Sequence, residues 1–153
     1  MIESKIEYYP VTAKWVEQLS SFFYALVVAK QDTWFHPHAL NSKMARYISK
    51  YNGFDYYVVQ CLQLNVVGYG MLRGWEKGFD TPTLGLAICP GHQRKGLGKQ
   101  LLEHLHETAV ERGALKVRLK VYPNNVSAIR LYHSAVYKLV DEENGQIVGY
   151  KEL

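Results

Sequence analysis

The chain has 153 residues, enough for one domain with a real core. Its composition, 48% hydrophobic and 21% charged, is that of an ordinary globular protein and excludes a disordered or fibrous chain. The net charge of +4 suits a small anionic ligand, while no basic stripe interleaved with aromatics marks a nucleic-acid binder.

Ile6 to Val11 carries strand formers. Thr12 then stands at the N-cap position of a helix with an apolar face of Trp15, Leu19, Phe22, Phe23 and Leu26. The longest apolar run, Phe22 to Ala29, falls far short of the ~20 residues that cross a membrane. Lys30 to His38 is irregular and aromatic, and Leu40 to Ser49 reads as a second helix with Met44, Tyr47 and Ile48 inward. Phe54 to Leu64 and Val66 to Leu72 are strand-like, with Asn65 at a tight turn between them. A loop from Gly74 to Pro82 leads into the apolar run Thr83 to Cys89, which breaks at Pro90-Gly91. A basic glycine loop, Gln93 to Gly98, opens a helix with Leu97, Leu101, Leu105 and Ala109 on one face and Gly113 at its end. Lys116 to Val121 is a strand and Ser127 to Ala135 a helix. Val136 to Asp141 and Ile147 to Leu153 form a hairpin about Glu143-Asn144-Gly145.

The order is β-α-α-β-β-β-α-β-α-β-β in one domain, residues 1–153, without repeats or linkers. It predicts a mixed α/β sheet with helices on both faces. Cys61 and Cys89 lie in apolar runs without pair spacing and read as buried free thiols of a reducing compartment. The start has no secretory pattern, so a cytoplasmic location without membrane attachment is expected.

Thr83 to Arg112 organises the rest. A strand, a glycine loop and a helix start in that order bind anions, because the first helical turn leaves N–H groups unpaired at the positive end of the macrodipole. Gly96 and Gly98 let a phosphate approach the backbone, and Arg94, Lys95 and Lys99 add positive charge. A Walker loop is excluded, since Leu97 stands where its lysine belongs. A dinucleotide fingerprint is excluded by Leu101.

What fits is Q-x-x-G-x-G, at Gln93, Gly96 and Gly98, after a strand ending Ile88-Cys89-Pro90. One strand later comes N-x-x-A-x-x-L-Y, at Asn125, Ala128, Leu131 and Tyr132, followed by Val136-Tyr137. In these two patterns the sequence resembles the GNAT superfamily of acyl-CoA-dependent N-acyltransferases, with Val136-Tyr137 in place of the family's Gly-Phe. The resemblance covers the chain in its element order and implies a mostly antiparallel sheet of about seven strands.

The resemblance implies further roles. Acetyl-CoA would be the co-substrate, with no metal. Leu86, Ala87 and Ile88 on a splayed central strand would meet its pantetheine arm. Gln93, Arg94, Lys95, Gly96, Leu97, Gly98 and Lys99 would hold the diphosphate, and Asn125 would hydrogen-bond the pantetheine. Tyr132 would protonate the departing thiolate, and a central-strand N–H would stabilise the oxyanion. Asn125 also reads as a simple helix cap, and Tyr132 as a core aromatic.

Many relatives carry a glutamate as base where this chain has Thr83. Glu76, Asp80, His36 and His38 are the alternatives, or a water relay; the two histidines lack a third ligand for a metal. His104 and His106 read as surface residues. Trp34, Phe35, Trp75 and Phe79 either line an acceptor pocket or pack loops onto the core. The expected reaction is acetyl transfer to a small-molecule primary amine by direct attack in a ternary complex. The rivals are a silent acyl-CoA sensor and a protein N-terminus or lysine acetyltransferase. Homodimerisation stays open.

Overall fold

Eleven strands and helices follow one another in the anticipated order in a computed structural model that describes residues 5–153. They are β1 (Ile6–Pro10), α1 (Val16–Val28), α2 (Ser42–Lys50), β2 (Tyr56–Leu62), β3 (Asn65–Arg73) and β4 (Thr83–Ile88). Then come α3 (Leu97–Glu111), β5 (Lys116–Val121), α4 (Val126–Ser134), β6 (Lys138–Glu143) and β7 (Gln146–Glu152). The seven strands make one sheet in the order β1-β2-β3-β4-β5-β7-β6. Only β4 and β5 run parallel; the other neighbours are antiparallel.

The sheet separates two apolar cores, one under each helix pair. Leu101, Leu105 and Ala109 of α3 and Tyr132 of α4 pack with Val117, Leu119 and Val121 of β5. Removing each such leucine from water contributes roughly 1.5–3 kcal/mol. Helix α3 sits close to β3 because Gly70 has no side chain; a Cβ there would lie 3.0 Å from Leu105 Cδ1. On the opposite face Leu19, Phe23 and Leu26 of α1 meet Ile48 of α2 over Val59 and Tyr69.

Several local expectations are corrected. Thr12 makes no side-chain cap; a single 3-10 turn, Ala13–Trp15, leads into α1 instead. Helix α2 starts at Ser42 because Asn41 Oδ1 accepts from the Met44 N–H at 2.9 Å. Its buried residues are Ala45 and Ile48, whereas Tyr47 is 60% exposed. The β2–β3 turn is made by Gln63 and Leu64, both left-handed at φ 51 and 67, and Asn65 already pairs with Leu62. That geometry matches the right-handed twist of the strands, which outweighs the poor turn propensity of these two side chains. The terminal hairpin turns at Asn144 and Gly145, as expected.

Both inner helices end alike. After α3, the Gly113 N–H donates to Val110 and the Ala114 N–H to Ala109, with Gly113 at φ 86. After α4, the Val136 N–H donates to His133 and the Tyr137 N–H to Tyr132, with Val136 at φ 69. The second closure therefore puts a β-branched residue where a glycine would cost nothing.

Candidate active site

Strands β4 and β5 touch at one register pair, Thr83 with Arg118, where the Arg118 N–H donates to the Pro82 carbonyl at 2.9 Å. Beyond that pair they diverge. Backbone groups alternate sides along a strand, and the Cys89 N–H donates to Val67 of β3 while Pro82 faces β5. Leu84, Leu86 and Ile88 share the parity of Pro82; the Leu84 N–H completes the pair with Arg118, and the amides of Leu86 and Ile88 face the gap that β5 has left. Ala87 lines the same cleft, but alternation turns its backbone toward β3.

The cleft has a volume of about 700 Å³ and runs from the glycine loop to Tyr132. At its basic end the chain turns through Gly91, Arg94 and Gly96, all at positive φ. Gly96 occupies the N-cap of α3 and brings no capping side chain. The first intrahelical acceptor pairing is Gln100 to Gly96 at 3.2 Å, so the N–H groups of Leu97, Gly98 and Lys99 have no helical partners. Arg94 and Lys99 flank them along the wall. Such an array of free donors, dipole and cations fits a diphosphate. Gln93 braces the loop, its Nε2 donating to the Ile88 carbonyl and to Gln31 Oε1, each at 3.4 Å. Lys95 and the buried Leu97 side chain do not line the cleft.

Asn125 and Tyr132 stand at the other end, on α4. Asn125 Oδ1 accepts from the Ala128 N–H at 3.4 Å, the capping role foreseen; its Nδ2 has no partner among the described residues. Tyr132 is 6% exposed and its ring lies 5.5 Å from that of Tyr137. Burial pushes its phenol up to about 12. No described residue hydrogen-bonds the hydroxyl, which therefore has its donor free.

A second cavity of about 450 Å³ opens beside the first, sharing Trp34, Phe35, Leu84, Gly85 and Lys120 with it. Met71, Arg73, Thr83, Arg118 and Tyr122 complete its sheet floor, with His36 and Phe79 from loops. Among the four alternative bases only His36 lines it. Glu76 is tied up elsewhere, accepting from the Phe54 N–H and the Tyr51 hydroxyl, both at 2.7 Å; those bonds hold its carboxyl below the usual range. Asp80 is exposed outside both cavities. His38 turns into the α1 core. Its Nδ1–H donates to the Ala39 carbonyl and its Nε2 accepts from the Tyr69 hydroxyl, each at 2.8 Å, and burial lowers its basicity.

Comparison with known proteins now decides the family. A sequence model of the acetyltransferase (GNAT) family matches residues 16–136. The chain belongs to this GNAT family. Its solved neighbours share the fold. The crystal structure of the PaiA N-acetyltransferase from Thermoplasma acidophilum, solved with coenzyme A, superposes with a TM-score of 0.80 at 16% identity over 97% of this chain and 99% of that one. The GNAT domain of S. lividans PAT gives 0.82 at 19% identity, over 98% and 90%. Among curated proteins, the ribosomal protein bS18-alanine N-acetyltransferase of Escherichia coli is 45% identical over 49 residues, 32% of this chain and 33% of that one. The chain thus aligns with about a third of the length of the curated relatives it matches.

Sequence reasoning did not single out Asp55, Arg73, Lys77, Arg118 and Lys120, which all line the second cavity. The signal for the last two was present, because Lys116 to Val121 alternates charged and apolar residues, but which face meets the cavity depends on sheet register. His104 and His106 are also not the surface residues expected. His104 stacks on Tyr8 with ring centroids 4.0 Å apart, and His106 Nε2 and the Tyr137 hydroxyl share a hydrogen bond of 2.6 Å. Among the described residues no cluster of three His, Cys, Asp or Glu side chains could hold a metal, and no helix is long and apolar enough to cross a membrane.

Proposed function

We propose that this GNAT chain transfers acetyl from acetyl-CoA to the primary amine of a small molecule, by direct attack with both substrates bound. The observation that carries the reading is the divergence of β4 from β5 after Thr83, which leaves a row of free backbone groups leading from the phosphate loop to a buried tyrosine.

The N–H groups of residues 97–99, with Arg94 and Lys99, hold the diphosphate. Leu86 and Ile88 hydrogen-bond the pantetheine arm through their backbone, and Asn125 Nδ2 adds a donor. The co-substrate supplies an acetyl thioester, whose carbonyl a neutral amine attacks and whose thiolate leaves. The Leu86 N–H faces the gap where that carbonyl's oxygen gains charge, and stabilises it. Tyr132 donates a hydrogen bond to the sulfur. With its phenol pushed up to about 12, full proton transfer to a thiolate of ordinary basicity, near ~8.5, is uphill. The phenol therefore serves as a fixed donor to the developing charge. His36, which lines the second cavity, takes the amine proton, directly or through water.

A protein N terminus is a second reading, favoured by the similarity to the bS18-alanine acetyltransferase. The size of the second cavity favours the small acceptor, since 450 Å³ is the scale of a small-ligand site. Thiol release from acetyl-CoA with a panel of small amines and of short peptides tests both. Turnover with small amines supports the first reading; turnover with peptides alone replaces it with the second. No thiol release with either removes both.

A further inference from the structure

The second cavity has a charge pattern that its size and position do not require. Register pairs Arg73 with Thr83 and Thr83 with Arg118, so these three side chains project from one face in a single row across β3, β4 and β5. Adjacent strands lie ~4.8 Å apart, which puts the two arginine backbones roughly 10 Å from each other with a short neutral side chain between them. Lys120 follows two residues along β5 on the same face, and Lys77 comes from the loop after β3.

Four cations therefore line the cavity against one carboxylate, Asp55. Asp55 Oδ1 already accepts from the Gly74 and Glu76 N–H groups at 3.0 and 3.1 Å. Glu143 reaches in from β6 to Arg118 at 2.5 Å and Lys120 at 2.8 Å. Four positive charges less these two negative ones leave an excess of two. Arg73 spends one N–H on the Pro37 carbonyl at 2.9 Å, and among the described residues neither Arg73 nor Lys77 has a carboxylate partner. A guanidinium has five N–H donors in a planar fork shaped for a carboxylate or phosphate.

We infer that the acceptor is an amine that also carries an anionic group, a carboxylate or a phosphate, and that the Arg73–Thr83–Arg118 row holds that anion while the amine points at the shared border with the cleft. The inference rests on the acetyl-transfer reading above and adds the substrate class to it. The same field has a second effect. Positive neighbours disfavour an ammonium ion, so they shift the acceptor toward the free amine that attacks. A glutamate at position 83 would halve that excess; threonine preserves it and leaves the arginines to lower the amine's basicity in place of a strong base. Cationic polyamines are repelled by the same charges.

The test is a matched series: kcat/KM with acetyl-CoA for glycine, glycinamide, phosphoethanolamine, ethanolamine and cadaverine, plus peptides with acidic and neutral N-terminal residues. Coenzyme A binding is followed by calorimetry on the same samples. The acidic member of each pair should exceed its neutral partner at least tenfold, with cadaverine poorest. Arg73→Gln and Arg118→Gln should each reduce that ratio about tenfold, and Arg118→Lys should restore part of it. The KM for acetyl-CoA and the melting temperature should stay near wild type. Preference for an acidic peptide over the small acids upholds the charge rule and moves the anion to a protein. Equal or better rates with the neutral or cationic amines overturn the inference and leave acetyl transfer standing. Coenzyme A binding without turnover on any member of the series also counts against it. Failure to bind coenzyme A removes the underlying function and the inference together.

Discussion

Trp34 Nε1 donates a hydrogen bond to Asn124 Oδ1 at 3.2 Å, joining the loop after α1 to the loop after β5. Trp34 lines both cavities, so this contact spans the place where they meet. A partly exposed hydrogen bond of this kind contributes about 0.5–1.5 kcal/mol. Trp34→Phe keeps an aromatic wall and removes the donor. Steady-state kinetics should show KM for acetyl-CoA raised about 2–10-fold, with the melting temperature lowered by about 2–4 °C.

Tyr132→Phe preserves the ring that packs on Tyr137 and deletes a hydroxyl that no described residue holds. Stability should therefore change little. Turnover should drop about 100-fold, the low end of what a positioned acid or donor contributes. Calorimetric affinity for coenzyme A should stay within about twofold. Equal turnover in the two proteins would take the phenol out of the mechanism.

Val136 sits at φ 69 and is 72% exposed, so it bears the cost of a left-handed backbone with little packing in return. That conformation costs a residue with a Cβ roughly 1–2 kcal/mol, and glycine's extra freedom in the unfolded chain gives part of it back. Val136→Gly should stabilise the fold by about 1 kcal/mol. Urea denaturation checks this, and the kinetic constants should hold because the Tyr137-to-Tyr132 backbone bond closing α4 is retained.

The fold should weaken in mild acid through its buried histidines. Burial, with the charge of Lys151 beside it, lowers His106 to about 4 from its ordinary 6.5. A folded-state basicity below the unfolded one means that the unfolded chain takes up the proton first. The stability from a neutral His106 is complete above pH ~6.5 and is lost as pH falls toward 4. His38 and His104 are lowered in the same direction, mainly by burial. Denaturation midpoints should fall between pH 7 and 4.5, and His106→Gln should flatten part of that slope.

The element order, the face of α3 and the ends of β5 were legible because each is set by local periodicity and by breakers such as Gly113. The turn before α3, with its unpaired N–H groups, was legible because Gly96 and Gly98 mark a strand-to-helix break. Other features depend on partners far away in sequence. Glu76 looks like a base until Tyr51 and the Phe54 N–H claim its carboxylate. His38 looks like its neighbour His36 until the core takes it. Arg73 joins the second cavity only when register lays it beside Thr83 and Arg118. At the β2–β3 turn, strand twist placed Gln63 and Leu64 where residue preference pointed to Asn65.

The claim on which the account turns is that the gap between β4 and β5, with the turn before α3, receives coenzyme A. Amide NMR shifts during a coenzyme A titration address it residue by residue. The predicted result is saturable change concentrated at Leu86, Ile88, Gly96, Leu97, Gly98, Lys99 and the Asn125 side chain. Silence at those amides with excess coenzyme, or change confined to the α1–α2 face, would contradict it.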